Sequence, residues 1–165
     1  MLGKEMVKRE LTRLDVEVEN YSELFEIMAK IFVDLGYACD EYLERLHIRE
    51  ASFPTALPVE PYPIAIPHTG AKAILKPFIA PVRLKKAVKW NQMSDVEKTT
   101  DVRMAFFLGF KDPEEFVDLL QVLMFNFERT DWVRSLFESN SEDEFYQLAS
   151  DMIWDVDERI DLCCK

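Results

Sequence analysis

Two stretches decide the fold: Ile64-Ala65-Ile66-Pro67-His68-Thr69-Gly70, and Val102-Arg103-Met104-Ala105-Phe106-Phe107-Leu108-Gly109-Phe110. The second is apolar without a break from Met104 to Leu108, as a strand covered on both faces must be. The first is a short apolar run that ends on proline, with a histidine at its exit and a glycine two residues on. Proline fixes its own φ and biases the residue before it toward extended backbone. The pattern predicts a strand over 64–66 whose end holds an imidazole at a sheet rim, on a loop anchored by rigid structure.

Working outward, the segment from Pro61 to Ser94 contains no Asp or Glu, but does contain Lys72, Lys76, Arg83, Lys85, Lys86 and Lys89. It carries +6 and the rest of the chain −17, against −11 for the whole. Pro61, Pro63, Pro67, Pro77 and Pro81 fall in it or at its edge, which reads as short strands with Pro at strand starts or edges. Further strands are expected over 78–84 and 88–90. The charge reads either as a solvated edge or as a local positive field in an acidic protein.

On both sides the apolar spacing is helical. Asn20 and Glu23 resemble a capping box, with Leu24, Met28, Ile31 and Leu35 following and Gly36 as a stop. Asp40 is the expected cap of a second helix with Tyr42, Leu46, Arg49 and Phe53 on one face. Asp112-Pro113 and Glu115 open a third, whose stripe is Phe116, Leu119, Leu120, Leu123 and Phe127. Asp131 opens a short helix through Phe137. Ser141 and Glu144 open the last, with Phe145, Leu148, Ala149 and Ile153 inward. Residues 1–12 and 155–165 read as loosely held termini. Helices, then strands, then helices imply an α/β domain, a mixed β-sheet flanked by helices on both faces.

Length and composition set the limits. The 165 residues suffice for a single domain, 1–165, with one sizeable core. Hydrophobic residues at 48% and charged residues at 31% exclude disorder. The acidic balance disfavours nucleic acid and anionic lipid as partners. No apolar run has signal-peptide or membrane-spanning length, so no direct membrane insertion is expected and the expected location is cytoplasmic. Cys39, Cys163 and Cys164 read as reduced thiols. No Cys/His spacing suggests zinc, and neither a metal nor a cofactor is expected. The chain lacks a Walker A loop, a GxSxG elbow and HExxH. Acid pairs such as Glu114–Glu115 and Asp143–Glu144 begin helices, where acids suit the positive end of the dipole. Of the two histidines, His47 reads as a helix-surface or partly buried residue. His68 is the one placed for chemistry, since a neutral imidazole is a good nucleophile near pH 7.

Three stretches together carry a resemblance: Arg49-Glu50-Ala51-Ser52-Phe53-Pro54-Thr55-Ala56-Leu57-Pro58, then Ile64-Ala65-Ile66-Pro67-His68-Thr69, then Lys111-Asp112-Pro113-Glu114 with Leu119-Leu120-Gln121. In order and spacing, over about residues 15–150, the chain resembles the mannitol/fructose-class EIIA components of the bacterial phosphoenolpyruvate–sugar phosphotransferase system (PTS). Its FPTxLP and IAIPHT stretches are most similar to the galactitol-type branch. The resemblance implies a mixed sheet sandwiched by helices and a phosphocarrier function. A histidine would accept a phosphoryl group on Nε2 from phospho-HPr. It would pass the group to a cysteine of a cognate EIIB, which phosphorylates sugar entering through the EIIC permease. Carried over, His68 is the phospho-acceptor, Arg49 stabilises the phosphoryl group, and Thr55 is the active-site threonine.

Physical chemistry agrees with those roles. A loose phosphoryl-transfer transition state asks for positioning and stabilisation of equatorial oxygen charge, which a guanidinium fork and backbone N–H groups provide without a metal. Thr55 could orient the imidazole, donate to the phosphate, or merely cap a turn. A phosphohistidine serving two proteins should have one open side. Phe116 stands where several members of the class have a second histidine. Ala56 replaces the glycine, and Gly70 the acid, usual in the galactitol type. The same domain could instead be a regulatory module that signals phosphorylation state without feeding a sugar. Phe53, Tyr62 and Phe116 are candidates for partner contact.

Overall fold

The computed structural model describes residues 2–155 and 157–158. Cys163, Cys164 and most of the C-terminal segment expected to be loose lie outside them. Strand β1 (Arg13–Val16) leads into α1 (Tyr21–Asp34) and α2 (Tyr42–Ser52). Short strands β2 (Ala56–Leu57) and β3 (Ile64–Ala65) follow, then the long β4 (Phe78–Asn91) and β5 (Thr99–Gly109). Helices α3 (Pro113–Phe127), α4 (Thr130–Glu138) and α5 (Glu142–Ser150) complete the order. The strands form one sheet in the order β1-β4-β5-β3-β2. β1–β4 and β3–β5 run parallel, β4–β5 and β2–β3 antiparallel, so the sheet is mixed.

Along β5 the side chains alternate between two cores. Ala105 and Phe107 join α1 and α2 residues such as Phe25, Phe32 and Leu46. Met104, Phe106 and Leu108 join Leu123, Val133 and Phe145 from α3, α4 and α5 on the opposite face. That alternation explains the unbroken apolar run: both faces of this strand are covered, so neither position of the period-two repeat can be polar.

The helix caps follow the sequence closely. Asn20 Oδ1 accepts from the Glu23 N–H at 3.0 Å, and the Glu23 carboxylate accepts from the Glu19 N–H at 2.9 Å. Gly36 ends α1 in the left-handed region, φ 78°, where a side chain would be strained. Asp112 accepts from the Glu114 N–H, with Pro113 at the first helical position. Ser141 caps α5 through the Glu144 N–H.

Several expectations need correction. The cap position of α2 is Glu41, not Asp40, and no side chain caps it. The buried face of α2 is Tyr42, Leu46 and Glu50, while Arg49 and Phe53 are exposed. Asp131 lies in the first turn of α4, behind Arg129 at the cap. The two strands expected over 78–84 and 88–90 are one, bent by a bulge in which Leu84–Ala87 stand opposite Arg103 alone. Pro81 sits inside this central strand rather than at an edge. β1 pairs with β4 only at Val82 and Leu84, and the N-terminal segment touches it again at Ile79, so that ladder skips Pro81.

Residues 1–12 are not loose as far as described. Met6, Val7, Leu11 and Thr12 are buried, and Val7 bridges to Ile79. Among the described residues, three of the six cations in the positive segment are paired with acids. Lys85 and Lys86 pair with Glu17 and Glu19. Arg83 is buried and bonds Asp15, and it also donates to the carbonyls of Leu136, Phe137 and Ser139 at the end of α4. Asp15 of β1 and Glu17 and Glu19 just after it thus cancel half of the charge that the local sequence shows.

Candidate active site

His68 lies just beyond β3. Parallel pairing of β3 with β5 continues past the strand: the Leu108 N–H donates to the Pro67 carbonyl at 3.0 Å, and His68 bridges to Leu108. Proline 67 therefore costs the ladder nothing on this side, because its carbonyl, not its missing N–H, is used. The loop that carries the imidazole is pinned to the central sheet.

Arg49 comes from the last turn of α2, Thr55 from the turn that follows it, and Phe116 from the first turns of α3. They meet because β2 pairs with β3 through Ala56↔Ala65 and Leu57↔Ile64, which lays the end of α2 beside the end of β3. α3 starts just past β5, the other neighbour of β3, and covers the opposite side. The result is a pocket of about 270 Å³ whose walls include Arg49, Phe53, Thr55, His68, Met93 and Phe116. Its lining is mainly apolar, with one guanidinium and one imidazole as its charged or titratable groups.

His68 is 5% exposed, so it is not the open rim residue that the sequence suggests. It is a wall of a pocket, and access to it runs through that pocket. Aromatic rings cover it: the Phe116 ring of α3 lies 4.8 Å from the imidazole and the Phe110 ring, between β5 and α3, lies 6.4 Å away. His68 Nδ1 is 2.7 Å from the Ile66 carbonyl oxygen. A carbonyl can only accept, so Nδ1 carries the proton in the neutral ring and Nε2 holds the free lone pair. Burial pushes the His68 pKa down, the nearby Arg49 charge pushes it further down, and the Ile66 carbonyl opposes both. The neutral nucleophile is therefore the form present at neutral pH.

Arg49 borders the pocket with its guanidinium 4.6 Å from the centre of the Phe53 ring. Thr55 also lines the pocket, but its hydroxyl donates to Glu50 Oε2 at 2.9 Å rather than to the imidazole. The ring is oriented by Ile66 instead. Glu50, with Trp90 behind it, is the part of the site that sequence reasoning missed. The residue is 3% exposed, and its carboxylate accepts from the Thr55 N–H, the Thr55 hydroxyl and the Trp90 indole N–H. The signal was available: Glu50 falls on the Tyr42–Leu46 face of α2, where a charge is unexpected. His47 is partly buried against Phe25, ring centres 5.4 Å apart, away from the pocket. Among the described residues no group of His, Cys, Asp or Glu could hold a metal ion, and no helix is long and apolar enough to cross a membrane.

The site is thus an imidazole whose Nε2 lone pair is free, in a pocket that Arg49 also lines, at the end of a mixed sheet between two helix layers. The chain belongs to the EIIA 2 family of the phosphoenolpyruvate-dependent sugar phosphotransferase system, whose model matches residues 5–152. It is similar to the galactitol-specific EIIA component of the PTS of Escherichia coli K12, 27% identical over 124 residues, covering 75% of this chain and 82% of that protein. Its fold matches the crystal structure of IIA mannitol from E. coli with a TM-score of 0.70 and 21% identity, over 86% of this chain and 97% of that one. It also matches the complex of enzyme IIA mannitol with phosphorylated enzyme IIB mannitol from E. coli, with a TM-score of 0.70, 20% identity, and coverage of 86% and 95%. The mixed-sheet α/β fold is thus that of mannitol-class EIIA, and the general chemistry is that of a phosphotransferase component.

Proposed function

We propose that the chain is a phosphocarrier that accepts a phosphoryl group on His68 Nε2 from phospho-HPr and passes it to a cysteine of a galactitol-type EIIB. The observation that carries this reading is the Nδ1 contact with the Ile66 carbonyl, which leaves Nε2 unprotonated in a pocket bordered by Arg49. In the first transfer the Nε2–P bond forms as the donor's N–P bond breaks. The donor imidazole regains its lone pair, and His68 keeps its Nδ1 proton on the carbonyl. In the second, the Nε2–P bond breaks as the EIIB thiolate forms an S–P bond.

Arg49 offsets charge on the phosphoryl oxygens through a planar donor fork. The apolar walls exclude water, which favours transfer to a protein nucleophile over hydrolysis. Thr55 serves by shaping the pocket wall through its bonds to Glu50. The similarity to a IIA solved together with its phosphorylated IIB supports EIIB as the acceptor, and the galactitol-specific relative supports a polyol pathway. Through EIIB the group would reach sugar at EIIC.

The test is labelling with phosphoenolpyruvate, enzyme I and HPr. The expected result is one acid-labile, base-stable phosphoryl group per chain, absent in His68→Ala and discharged by a galactitol-type EIIB. Label retained in His68→Ala would overturn the site. Label that no EIIB discharges would leave a regulatory module in its place.

A further inference from the structure

We propose that Glu50 is a positioning residue for His68: through Thr55 it locks the turn after α2 onto the strand that ends in the histidine, and so fixes the imidazole tautomer. The kinetic part of this inference rests on the phosphocarrier reading, whereas the tautomer part does not.

An unbroken line of hydrogen bonds joins the two residues. The Trp90 indole and both donors of Thr55 converge on the Glu50 carboxylate. The Thr55 carbonyl accepts from the Ile66 N–H at 3.2 Å, and the Ile66 carbonyl accepts from the His68 Nδ1–H at 2.7 Å. Holding the N–H and the hydroxyl of one residue on one carboxylate removes the rotational freedom of Thr55. Its carbonyl is thereby aimed at Ile66. Trp90 ties the far end to β4, where it is 1% exposed and packs against Tyr21 and Phe25.

The packing of α2 does not call for an acid there, since the neighbours on that face, Tyr42 and Leu46, are fully buried. A buried carboxylate is costly unless its lone pairs are satisfied, and a carboxylate is the side chain that can accept from three converging donors while donating nothing. Burial pushes the Glu50 pKa up, and the bonds from Trp90 and Thr55, then the Arg49 charge, oppose that rise. The pair Arg49-Glu50 thus divides the work: the arginine faces the pocket, and the glutamate faces inward and holds the pocket's frame.

The role is positional, so an isostere should suffice. In Glu50→Gln the amide oxygen can keep the Thr55 N–H and the indole, and the amide N–H₂ can donate to the Thr55 hydroxyl, which then accepts. The experiment is ¹⁵N NMR of the His68 imidazole, together with the rate of phosphorylation at varied phospho-HPr, in wild type, Glu50→Gln, Glu50→Ala and Thr55→Val. Expected are a single Nδ1–H tautomer in wild type and in Glu50→Gln, and a tautomer mixture in Glu50→Ala and Thr55→Val. The maximal transfer rate should fall about tenfold or more in Glu50→Ala with unchanged half-saturation, as expected for misplacement of a reacting group. A wild-type tautomer in Glu50→Ala, or in Thr55→Val should Glu50→Ala not fold, would overturn the proposal. So would a lost tautomer in Glu50→Gln, which would assign the effect to charge. Failure of wild type to take phosphate would instead refute the phosphocarrier reading and leave the tautomer result to decide this one.

Discussion

The ring of Phe116 lies 4.8 Å from the ring of His68, tilted by 47°, and is itself stacked on Phe110 at 4.1 Å. Beside the imidazole this chain therefore offers a hydrocarbon wall. It cannot donate to a phosphoryl oxygen, but it dries the site. Removing the wall should therefore show in the imidazole itself. In Phe116→Ala the His68 pKa is expected to move up toward its ordinary 6.5, because burial is the first cause of its depression. An NMR titration of the ring protons checks this, and an unchanged pKa would show that α3 does not set the local dielectric.

The pH dependence has a definite sign. His68 titrates below 6.5 in the folded chain, so it is neutral at pH 7 and transfer should be flat from neutral pH down to about 6.5, with the acid limb below. As pH falls below 6.5 the unfolded chain binds a proton that the folded chain refuses. Stability contributed by this site is therefore present above 6.5 and is lost toward the folded pKa. Urea unfolding across this range should show a shallower pH slope in His68→Asn than in wild type.

Arg49→Lys is expected to fold normally and to lose most transfer. The residue is exposed at the end of α2, so its removal disturbs little packing, but an ammonium cannot reproduce a planar fork on phosphoryl oxygens. The same change keeps the positive charge that helps depress the His68 pKa. A transfer rate that falls while the imidazole titration stays put would separate the two effects. Full transfer in Arg49→Lys would reduce Arg49 to a source of charge.

Arg83→Ala should destabilise the fold without altering the chemistry. Arg83 is buried and holds the last carbonyls of α4 together with Asp15 of β1, far along the sheet from the pocket wall. Asp15 is half exposed and water can take over its pairing, but the buried carbonyls at the end of α4 lose their donor, which costs about 1–3 kcal/mol. A lower urea midpoint with normal labelling at low temperature is the expected result.

The sequence announced the helices well because their signals are local. Asn20 with Glu23, Asp112 with Pro113, and Ser141 with Glu144 each satisfy helix-end donors from within one turn. It failed at Asp40, where the cap falls on Glu41, and it missed β1, although polar and apolar residues alternate from Arg13 to Val16, because four residues are a short run and their pairing comes from β4. The buried N-terminal residues were likewise invisible: Leu11 is apolar, but its partners lie on distant strands.

Much of the site was legible in the same way. A strand ending Pro67-His68 puts the histidine at a strand exit by itself, since proline and the apolar run act on their immediate neighbours. Arg49 was found through the motif around it, and both residues line one pocket. What the chain alone could not say is how wet that exit is. The 5% exposure of His68 is imposed by Phe110 and Phe116, which arrive from beyond β5, and the Nδ1 proton is placed by a carbonyl two residues away whose own position depends on Thr55 and Glu50. Element type and residue chemistry are near-neighbour properties. Burial, tautomer and charge balance are sums over groups that only folding brings together, and the cancelling of Lys85 and Lys86 by Glu17 and Glu19 is the plainest case of it.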